Sequence, residues 1–384
     1  MRNLFFVVNQ DLGDGSAHAL YCLRHCWWLA KTNSQAMVHL IHSGRLAERE
    51  ALGAAGLVSA ANLRVRSLPS IRKPRDGRGV TINAVFFWAM VLDLRKQQHP
   101  GDILACASFP KLFQFLCRRK GLLRDMRTVY EVHQLAALEH GPQARQTAVE
   151  REVLECADVV VTTTNALLDQ VRASFPGKPT AALGLACGFD PRAAPERSGT
   201  SGEPFTLAYV GSLYEEQGVR WLLASWPEIV ATAGRPLKLV VIGGPASACE
   251  RLRVEYGASD NTMELRGPIP PGRLPEQLRR VDALVIPALK MGRMPYVAIT
   301  KAYDYLGLNR SIVAADLPSI REVLRPGQEA LLFAPGDCRD LAACIRTLVD
   351  DADLVFALTS RARERCATLS WTQRAKRWWE AVQP

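Results

Sequence analysis

The chain has 384 residues, of which 48% are hydrophobic and 22% charged, a composition typical of globular proteins that excludes extended disorder. This length is too great for one compact core and predicts two domains. The net charge of +10 is uneven: residues 1–195 hold 24 Lys and Arg against 16 Asp and Glu, whereas residues 196–384 hold 24 against 22. The basic first half predicts an anionic partner on that side, with an ordinary solvated surface as the alternative.

The first half alternates short apolar runs with helical patterns. The run at residues 4–8 is interpreted as a first strand, not a signal peptide, because a polar loop at 9–15 follows it without a cleavage site. A helix is expected from about Ser16. Further strand-like runs follow at residues 37–41, 103–106, 128–132 and 159–162. The ten cysteines form no Cys-x-x-Cys pair, which favours small buried side chains over zinc ligands or disulfides.

A stretch dense in Pro, Gly and Ser, residues 191–204, predicts a linker between a domain at 1–190 and a domain at 205–370. The second half repeats the pattern, with apolar runs at 205–210, 239–242, 283–286 and 311–314. Apolar runs with helices between them indicate parallel sheets covered on both faces. The predicted fold class is therefore α/β, with two Rossmann-like doubly wound parallel sheets and a cleft between them. Residues 371–384 are expected to form a helix that packs back toward the first domain.

Three features of the pattern predict functional positions. Gly211-Ser212 and Gly243-Gly244 each follow a predicted strand and precede a helix, where backbone amides can face an anion. Neither loop matches the dinucleotide or Walker fingerprint, which disfavours dehydrogenases and ATPases. His133 directly follows the run at 128–132 and should lie at the carboxyl end of a strand, where ligands of such sheets bind.

Several stretches together resemble one family along most of the chain. Residues 129–134 (VYEVHQ) are similar to a strand that ends in an active-site His, and 207–218 (LAYVGSLYEEQG) to the opening of a donor-binding domain. The most specific stretches are 298–304 (AITKAYD) and 320–337 (IREVLRPGQEALLFAPGD). The chain thus resembles the nucleotide-sugar-dependent glycosyltransferases of family 4, which have the GT-B fold.

The resemblance implies retaining transfer of a sugar from a nucleoside diphosphate sugar, with no cofactor and no required metal. UDP is favoured over GDP on its frequency in the family. The resemblance implies that His133 positions the reacting sugar and stabilises it electrostatically. It also implies that the positive charge of Lys301 helps to stabilise the leaving diphosphate. Asp304 falls where the family's Glu holds the ribose. The full set expected at the donor is Gly211, Ser212, Gln217, Gly243, Gly244, Arg266, Ile269, Arg293, Val297, Ala298, Ile299, Thr300 and Asp304.

Three positions depart from the family pattern. Tyr296 stands where the family usually has a carboxylate, and the neutral Ser212 and Gln217 stand where an Arg and a Lys clamp the diphosphate. Lys290, Arg293 and Lys301 are nearby cations that could replace that clamp. The departures leave open a degenerate GT-B module that serves as partner or regulator of an active enzyme. An epimerase-like enzyme on the same fold also stays open, with Glu131 and Asp304 as its candidate bases, and so does a glycoside phosphorylase.

The acceptor side is expected in the first domain, at Gly15 and at the basic residues Arg72, Lys73 and Arg75. These basic residues precede the aromatic run 86–88, and a second basic cluster lies within residues 118–127. Basic residues beside aromatic ones suit an anionic membrane surface or a lipid-linked phosphate. We therefore expect a glycan or glycolipid acceptor of the cell envelope and a cytoplasmic protein, peripheral on the inner face of the membrane. Nucleic acid is not expected as a partner, because no recognised binding module is visible.

Overall fold

The computed structural model describes residues 2–13, 16–75, 78–119, 121, 126–194, 203–257 and 262–383, with the backbone alone for 71–75, 78–82 and 271. Its contacts divide the chain into two compact units. The first unit runs to Gly184 and includes the C-terminal segment from Trp371, and the second is Leu185–Ser370. Among the described residues, no helix is long and apolar enough to cross a bilayer.

The first unit is built on a seven-stranded parallel sheet in the order β3-β2-β1-β6-β7-β8-β9, with β4 and β5 paired as a separate antiparallel hairpin. Its elements before the linker are β1 (Arg2–Val8), α1 (Ala17–Thr32), β2 (Ala36–His42), α2 (Glu48–Ala54), β3 (Leu63–Ser67), β4 (Ile71–Arg75), β5 (Arg78–Ile82), α3 (Asn83–Gln97), β6 (Ile103–Ala107), α4 (Pro110–Cys117), β7 (Arg127–Val132), α5 (Ala136–His140), α6 (Arg145–Cys156), β8 (Val159–Thr162), α7 (Asn165–Ser174) and β9 (Thr180–Ala182). The side chains of Leu4–Val8 in β1 are fully buried, as both faces of a parallel sheet require. The predicted start of α1 is confirmed, since the Ser16 hydroxyl accepts from the Ala19 amide at 3.2 Å as an N-cap.

The second unit carries a six-stranded parallel sheet in the order β12-β11-β10-β13-β14-β15. Its elements are β10 (Phe205–Val210), α8 (Val219–Thr232), β11 (Leu237–Ile242), α9 (Ala246–Glu255), β12 (Met263–Arg266), α10 (Leu274–Gln277), β13 (Ala283–Ile286), α11 (Thr300–Leu306), β14 (Ser311–Ala315), α12 (Pro318–Arg321), β15 (Leu331–Phe333), α13 (Cys338–Asp350) and α14 (Ala352–Thr368). Single 3-10 turns occupy Glu215–Gln217 and Pro271–Arg273. The strand order reverses at β10, so the loops after β10 and β13 lie at the topological switch point where ligands of this fold bind.

The last helix, α15 (Trp371–Val382), packs mainly on α1 and belongs to the first unit. Its apolar face buries Trp378 and Trp379, and the Trp379 indole donates to the Leu29 carbonyl at 3.1 Å. Arg374 lies on the same buried face and is fully enclosed. The helix thus brings a cation into the core of the first unit.

The division between the units falls six residues before the predicted linker. Residues 185–190, which the sequence analysis assigned to the first domain, pack with the second unit. The Cys187 amide donates to the Leu369 carbonyl, and the Gly188 amide donates to Asp304 Oδ1. Residues 195–202 of the predicted linker lie outside the described residues. Backbone hydrogen bonds, which a composition pattern does not reveal, account for the difference.

Candidate functional site

His133 lies directly after β7, at the carboxyl end of a strand, as its place in the sequence predicts. Its side chain is one-fifth exposed and packs edge-on against the Tyr21 ring, with 4.7 Å between the ring centroids. The ring of His18, also on α1, is 5.5 Å away. His133 Nε2 is 3.1 Å from Glu131 Oε1, two residues back on the same face of the strand. The imidazole therefore has an aromatic wall on one side and a carboxylate behind it.

Glu131 is the buried centre of this group, with 1% of its surface exposed. Its Oε1 atom accepts from the Tyr21 hydroxyl and, at 2.5 Å, from Arg374 Nη2. Burial alone would raise the pKa of Glu131, but the charge of Arg374 and the hydrogen bond with His133 outweigh it and hold that pKa well below its usual range. Glu131 is therefore an anion at every physiological pH and a poor proton-abstracting base.

Sequence reasoning missed Arg374 and Tyr21 as members of this group. One sequence signal could have pointed to Arg374. The residues of α15 that line up at spacings of three and four are Trp371, Arg374, Ala375 and Trp378, so a lone Arg sits in an apolar stripe. An arginine at such a position needs a buried anion.

In the second unit, the two glycine loops meet at one edge of the sheet. Gly211 follows β10 and Gly243 follows β11, and the Gly211 amide donates to the Ile242 carbonyl at 2.9 Å. A Cβ added at Gly243, whose φ is 125°, would lie 2.1 Å from the Gly211 carbonyl oxygen. Glycine is therefore required here by the approach of the two loops, whatever ligand they bind.

Lys301, near the start of α11, reaches these loops. Its Nζ donates to Gln217 Oε1 at 2.5 Å and lies 5.1 Å from the centroid of the Tyr209 ring. A Cβ on Gly211 would approach the same Nζ to 2.9 Å. Burial lowers the pKa of Lys301 to about 8, although the carboxylates of Asp304 and Glu216 oppose that shift. The structure thus joins Gly211, Gln217 and Lys301, and one amine lies beside the predicted anion loop.

Asp304 lies one helical turn after Lys301 on α11, so both face the same side of the helix. Its Oδ1 accepts from the Gly188 amide at 3.0 Å. Arg293 Nη2 is 3.5 Å from Glu216 Oε1, and its side chain is about one-third exposed. Both residues predicted for the donor therefore already have partners within the unit.

The remaining predicted donor residues are placed less uniformly. α11 begins at Thr300, after Ala298 and the N-cap Ile299, where the first amides have no partner within the helix. The Val297 amide differs, because it donates to the Arg293 carbonyl at 3.1 Å.

The other predicted donor residues lie elsewhere in the second unit. Arg266 pairs with Glu264, and its Nε lies 2.6 Å from Glu264 Oε1. Ile269 is partly buried against the core, Ser212 offers its carbonyl to the Tyr209 hydroxyl at 2.5 Å, and Gly244 packs on Leu213.

The predicted acceptor residues are described only in part. Gly15 lies outside the described residues. Arg72, Lys73 and Arg75 fall on β4 of the antiparallel hairpin, in register with β5. Among the described residues, no group of three or more His, Cys, Asp or Glu is arranged to hold a metal ion.

Comparison with known proteins gives two family matches that together span most of the chain. Residues 20–184 match the model "Glycosyl transferase 4-like domain", and residues 204–351 match "Glycosyl transferases group 1". The chain belongs to glycosyltransferase family 4. The resemblance seen in the sequence motifs is therefore confirmed.

Curated relatives of this family-4 chain are distant. A D-inositol 3-phosphate glycosyltransferase of Nocardia farcinica is 27% identical over 183 residues, 46% of this chain and 39% of the relative. One from Corynebacterium urealyticum is 23% identical over 286 residues, 66% of each chain. A phosphatidyl-myo-inositol mannosyltransferase of Mycolicibacterium smegmatis is 25% identical over 181 residues, 47% of this chain and 45% of the relative. The chain thus spans between about two fifths and two thirds of the length of these relatives.

Solved structures with the same fold cover the whole chain. Sucrose-phosphate synthase from Thermosynechococcus elongatus superposes with a TM-score of 0.74 at 16% identity, over 99% of this chain and 98% of that one. HepE from Anabaena, in complex with UDP, gives a TM-score of 0.72 at 14% identity, over 100% and 99%. The predicted fold class, GT-B with two Rossmann-like domains, is confirmed.

Proposed function

We propose that this family-4 chain transfers a sugar, with retention of anomeric configuration, from a nucleoside diphosphate sugar to an envelope glycan or glycolipid. The observation that carries the proposal is the Lys301 amine, held by Gln217 beside Gly211 at the switch point of the second sheet. A departing diphosphate develops negative charge that fixed donors must meet. Lys301 supplies a charge where the neutral Ser212 and Gln217 supply none.

The nucleotide is proposed to be UDP, and the reaction is proposed to need no metal ion. Support for UDP comes from the similarly folded HepE, which was solved with UDP. Support for a reaction without a metal ion is the Lys301 ammonium, which provides positive charge from the protein itself. Turnover that persists in excess EDTA is expected, and turnover restored only by a divalent cation would contradict this part.

Donor binding is tested by thermal shift and hydrolysis with UDP-, GDP- and ADP-sugars. One donor should raise the melting temperature of the wild type, and its slow hydrolysis should be lost in His133→Ala. Asp304→Ala should lose the stabilisation, whereas Asp353→Ala, an exposed carboxylate on α14, should retain it. If no donor shifts the melting temperature, the proposal fails and the degenerate module takes its place.

The surroundings of Glu131 disfavour the alternative function of an epimerase. An epimerase needs a carboxylate that abstracts a proton, and Glu131 is buried against Arg374 with a lowered pKa. Release of nucleoside diphosphate without a new glycosidic bond would reopen that reading. The anomeric configuration of the product, read by proton NMR, tests retention.

A lipid-linked acceptor is supported by a basic and aromatic surface formed by α3 and the turn that follows α4. Phe86 and Phe87 are buried as core residues, whereas the next side chain, Trp88, is 46% exposed. The Arg119 guanidinium stacks 4.8 Å from the Trp88 ring centroid. The distant relative from Mycolicibacterium smegmatis is named for a lipid acceptor.

The acceptor proposal predicts binding to vesicles that contain anionic lipid at low salt. A paired Trp88→Ala and Arg119→Ala variant should bind such vesicles at least several-fold more weakly. Val254→Ala is the control, because Val254 is an exposed apolar residue on α9 of the second unit and lies outside this surface. Glycosylation of soluble acceptors alone, with no vesicle binding by the wild type, would contradict the lipid-linked acceptor.

A further inference from the structure

Arg374 is a buried cation whose position the transfer reaction does not by itself explain. It is fully enclosed, and its guanidinium uses all three nitrogens within the first unit. Nε donates to the Gly184 carbonyl at 2.9 Å, Nη1 lies 2.8 Å from His25 Nδ1, and Nη2 donates to Glu131 Oε1 at 2.5 Å. A buried ion pair contributes little net stability compared with apolar residues of the same volume. Net stability is therefore a weak explanation for the presence of this pair.

The protonation of His25 follows from these contacts. Burial and the charge of Arg374 lower the pKa of His25 to about 3, so its ring is neutral. Because Nδ1 faces an arginine donor, the proton of the ring is on Nε2. That nitrogen is 3.7 Å from Glu131 Oε2. This distance is too long for a hydrogen bond, and the hydrogen bonds of the Glu131 carboxylate are all accepted by Oε1.

The same reasoning fixes which nitrogen of His133 carries the proton. His133 Nε2 is 3.1 Å from Glu131 Oε1, an anionic oxygen that can only accept. His133 must therefore carry a proton on Nε2. In a neutral ring, Nδ1 is then the acceptor and remains for another group.

We propose that Arg374, acting through Glu131, positions His133: the pair fixes the Nε2–H tautomer and turns Nδ1 toward a hydroxyl of the reacting sugar. The inference rests on the proposed function, because it assumes that His133 contacts the sugar. Arg374 and Glu131 are positioning residues, which touch His133 and not the substrate. The arrangement matches other sites where a carboxylate behind a histidine sets its tautomer.

The tautomer can be measured without any activity. Protein labelled with 15N-histidine is studied by NMR at about pH 8.5, where an ordinary histidine is neutral. The resonance of His133 is assigned by its loss in His133→Ala. The wild type should show the Nε2–H form, and the double variant Glu131→Gln with Arg374→Met should show a mixture. A wild-type Nδ1–H form, or an unchanged double variant, would overturn the proposal.

Kinetics of the same variants separate positioning from a structural role. Arg374→Met alone should lose stability, because it leaves Glu131 buried without its cation, and the double variant should recover most of it. Its kcat should nevertheless remain about 100-fold below wild type, with KM for the donor nearly unchanged, since misplacing a reacting group by about 1 Å can have that effect. If kcat recovered together with the melting temperature, the pair would be structural only.

Arg377→Met is the matched control for these variants. Arg377 lies one turn further along α15 and donates to the Leu183 carbonyl at 3.0 Å, the residue before the carbonyl that Arg374 uses. The kcat of Arg377→Met should equal that of the wild type. A loss of kcat as large as in the Glu131→Gln, Arg374→Met double variant would contradict the special role of Arg374. If the wild type hydrolyses no donor at all, the proposed function fails, while the NMR result still decides whether the pair positions His133.

Discussion

Raising the pH from about 7 to about 9 should weaken the binding of the donor roughly tenfold, because Lys301 loses its charge in this interval. Burial places the pKa of Lys301 at about 8, although Asp304 and Glu216 oppose the shift. About nine-tenths of the amine is then charged at pH 7, and about one-tenth at pH 9. If only the ammonium form binds the diphosphate, the apparent dissociation constant rises by the same ratio.

Isothermal titration calorimetry of the donor at several pH values measures this dependence. Lys301→Arg keeps its charge throughout and should remove the pH dependence, and it also controls for any titration of the donor itself. Lys301→Met should bind weakly already at pH 7, with little change at higher pH. The reasoning is refuted if the wild type and Lys301→Arg lose affinity in parallel.

Two further predictions concern stability. Gly243→Ala should destabilise the second unit by about 3 kcal/mol, because the added Cβ meets the Gly211 carbonyl oxygen and the φ of residue 243 lies in the region that favours glycine. Gly267→Ala is the control: a Cβ added at Gly267 has no atom within 4 Å, so this variant should be nearly as stable as the wild type. Scanning calorimetry should show a melting temperature lower by roughly 6–12 °C for the first variant only, and equal values for both would contradict the clash. Burial raises the pKa of Glu150 to about 7, against the hydrogen bond that it accepts from the Ala136 amide. The stability that the protonated Glu150 contributes is fully present below about pH 4.5 and is lost as the pH rises through 7. Glu150→Gln does not titrate, so its melting temperature should rise relative to that of the wild type over this pH range. A difference in melting temperature that stays constant with pH would contradict this prediction.

Several strands were predictable to the residue from the amino-acid pattern. The structure has β8, β10 and β13 with the same ends as the apolar runs at 159–162, 205–210 and 283–286. Parallel strands covered on both faces are continuous apolar runs, so their limits are visible in sequence. The hairpin of β4 and β5 was not predicted, because its Arg-Lys-Pro-Arg stretch carries no such pattern.

The candidate site was predictable where it depends on the end of a strand. His133 and the loops at Gly211 and Gly243 follow strands that the pattern itself locates, and parallel strands end at one edge. By contrast, Lys301 and Gln217 are 84 residues apart in the chain and meet through their side chains. Periodicity describes an element's face, not the residue of another element that packs there.

Sequence by itself thus determined the family, the two sheets and the strand end that carries His133, because these follow from local apolar patterns and motifs. Tertiary structure alone decided that Arg374 meets Glu131, across 243 residues of chain. The sequence shows only an arginine in an apolar stripe of the last helix. Which anion that arginine would meet depends on how α15 packs against α1 and the sheet, and packing is a property of the whole unit.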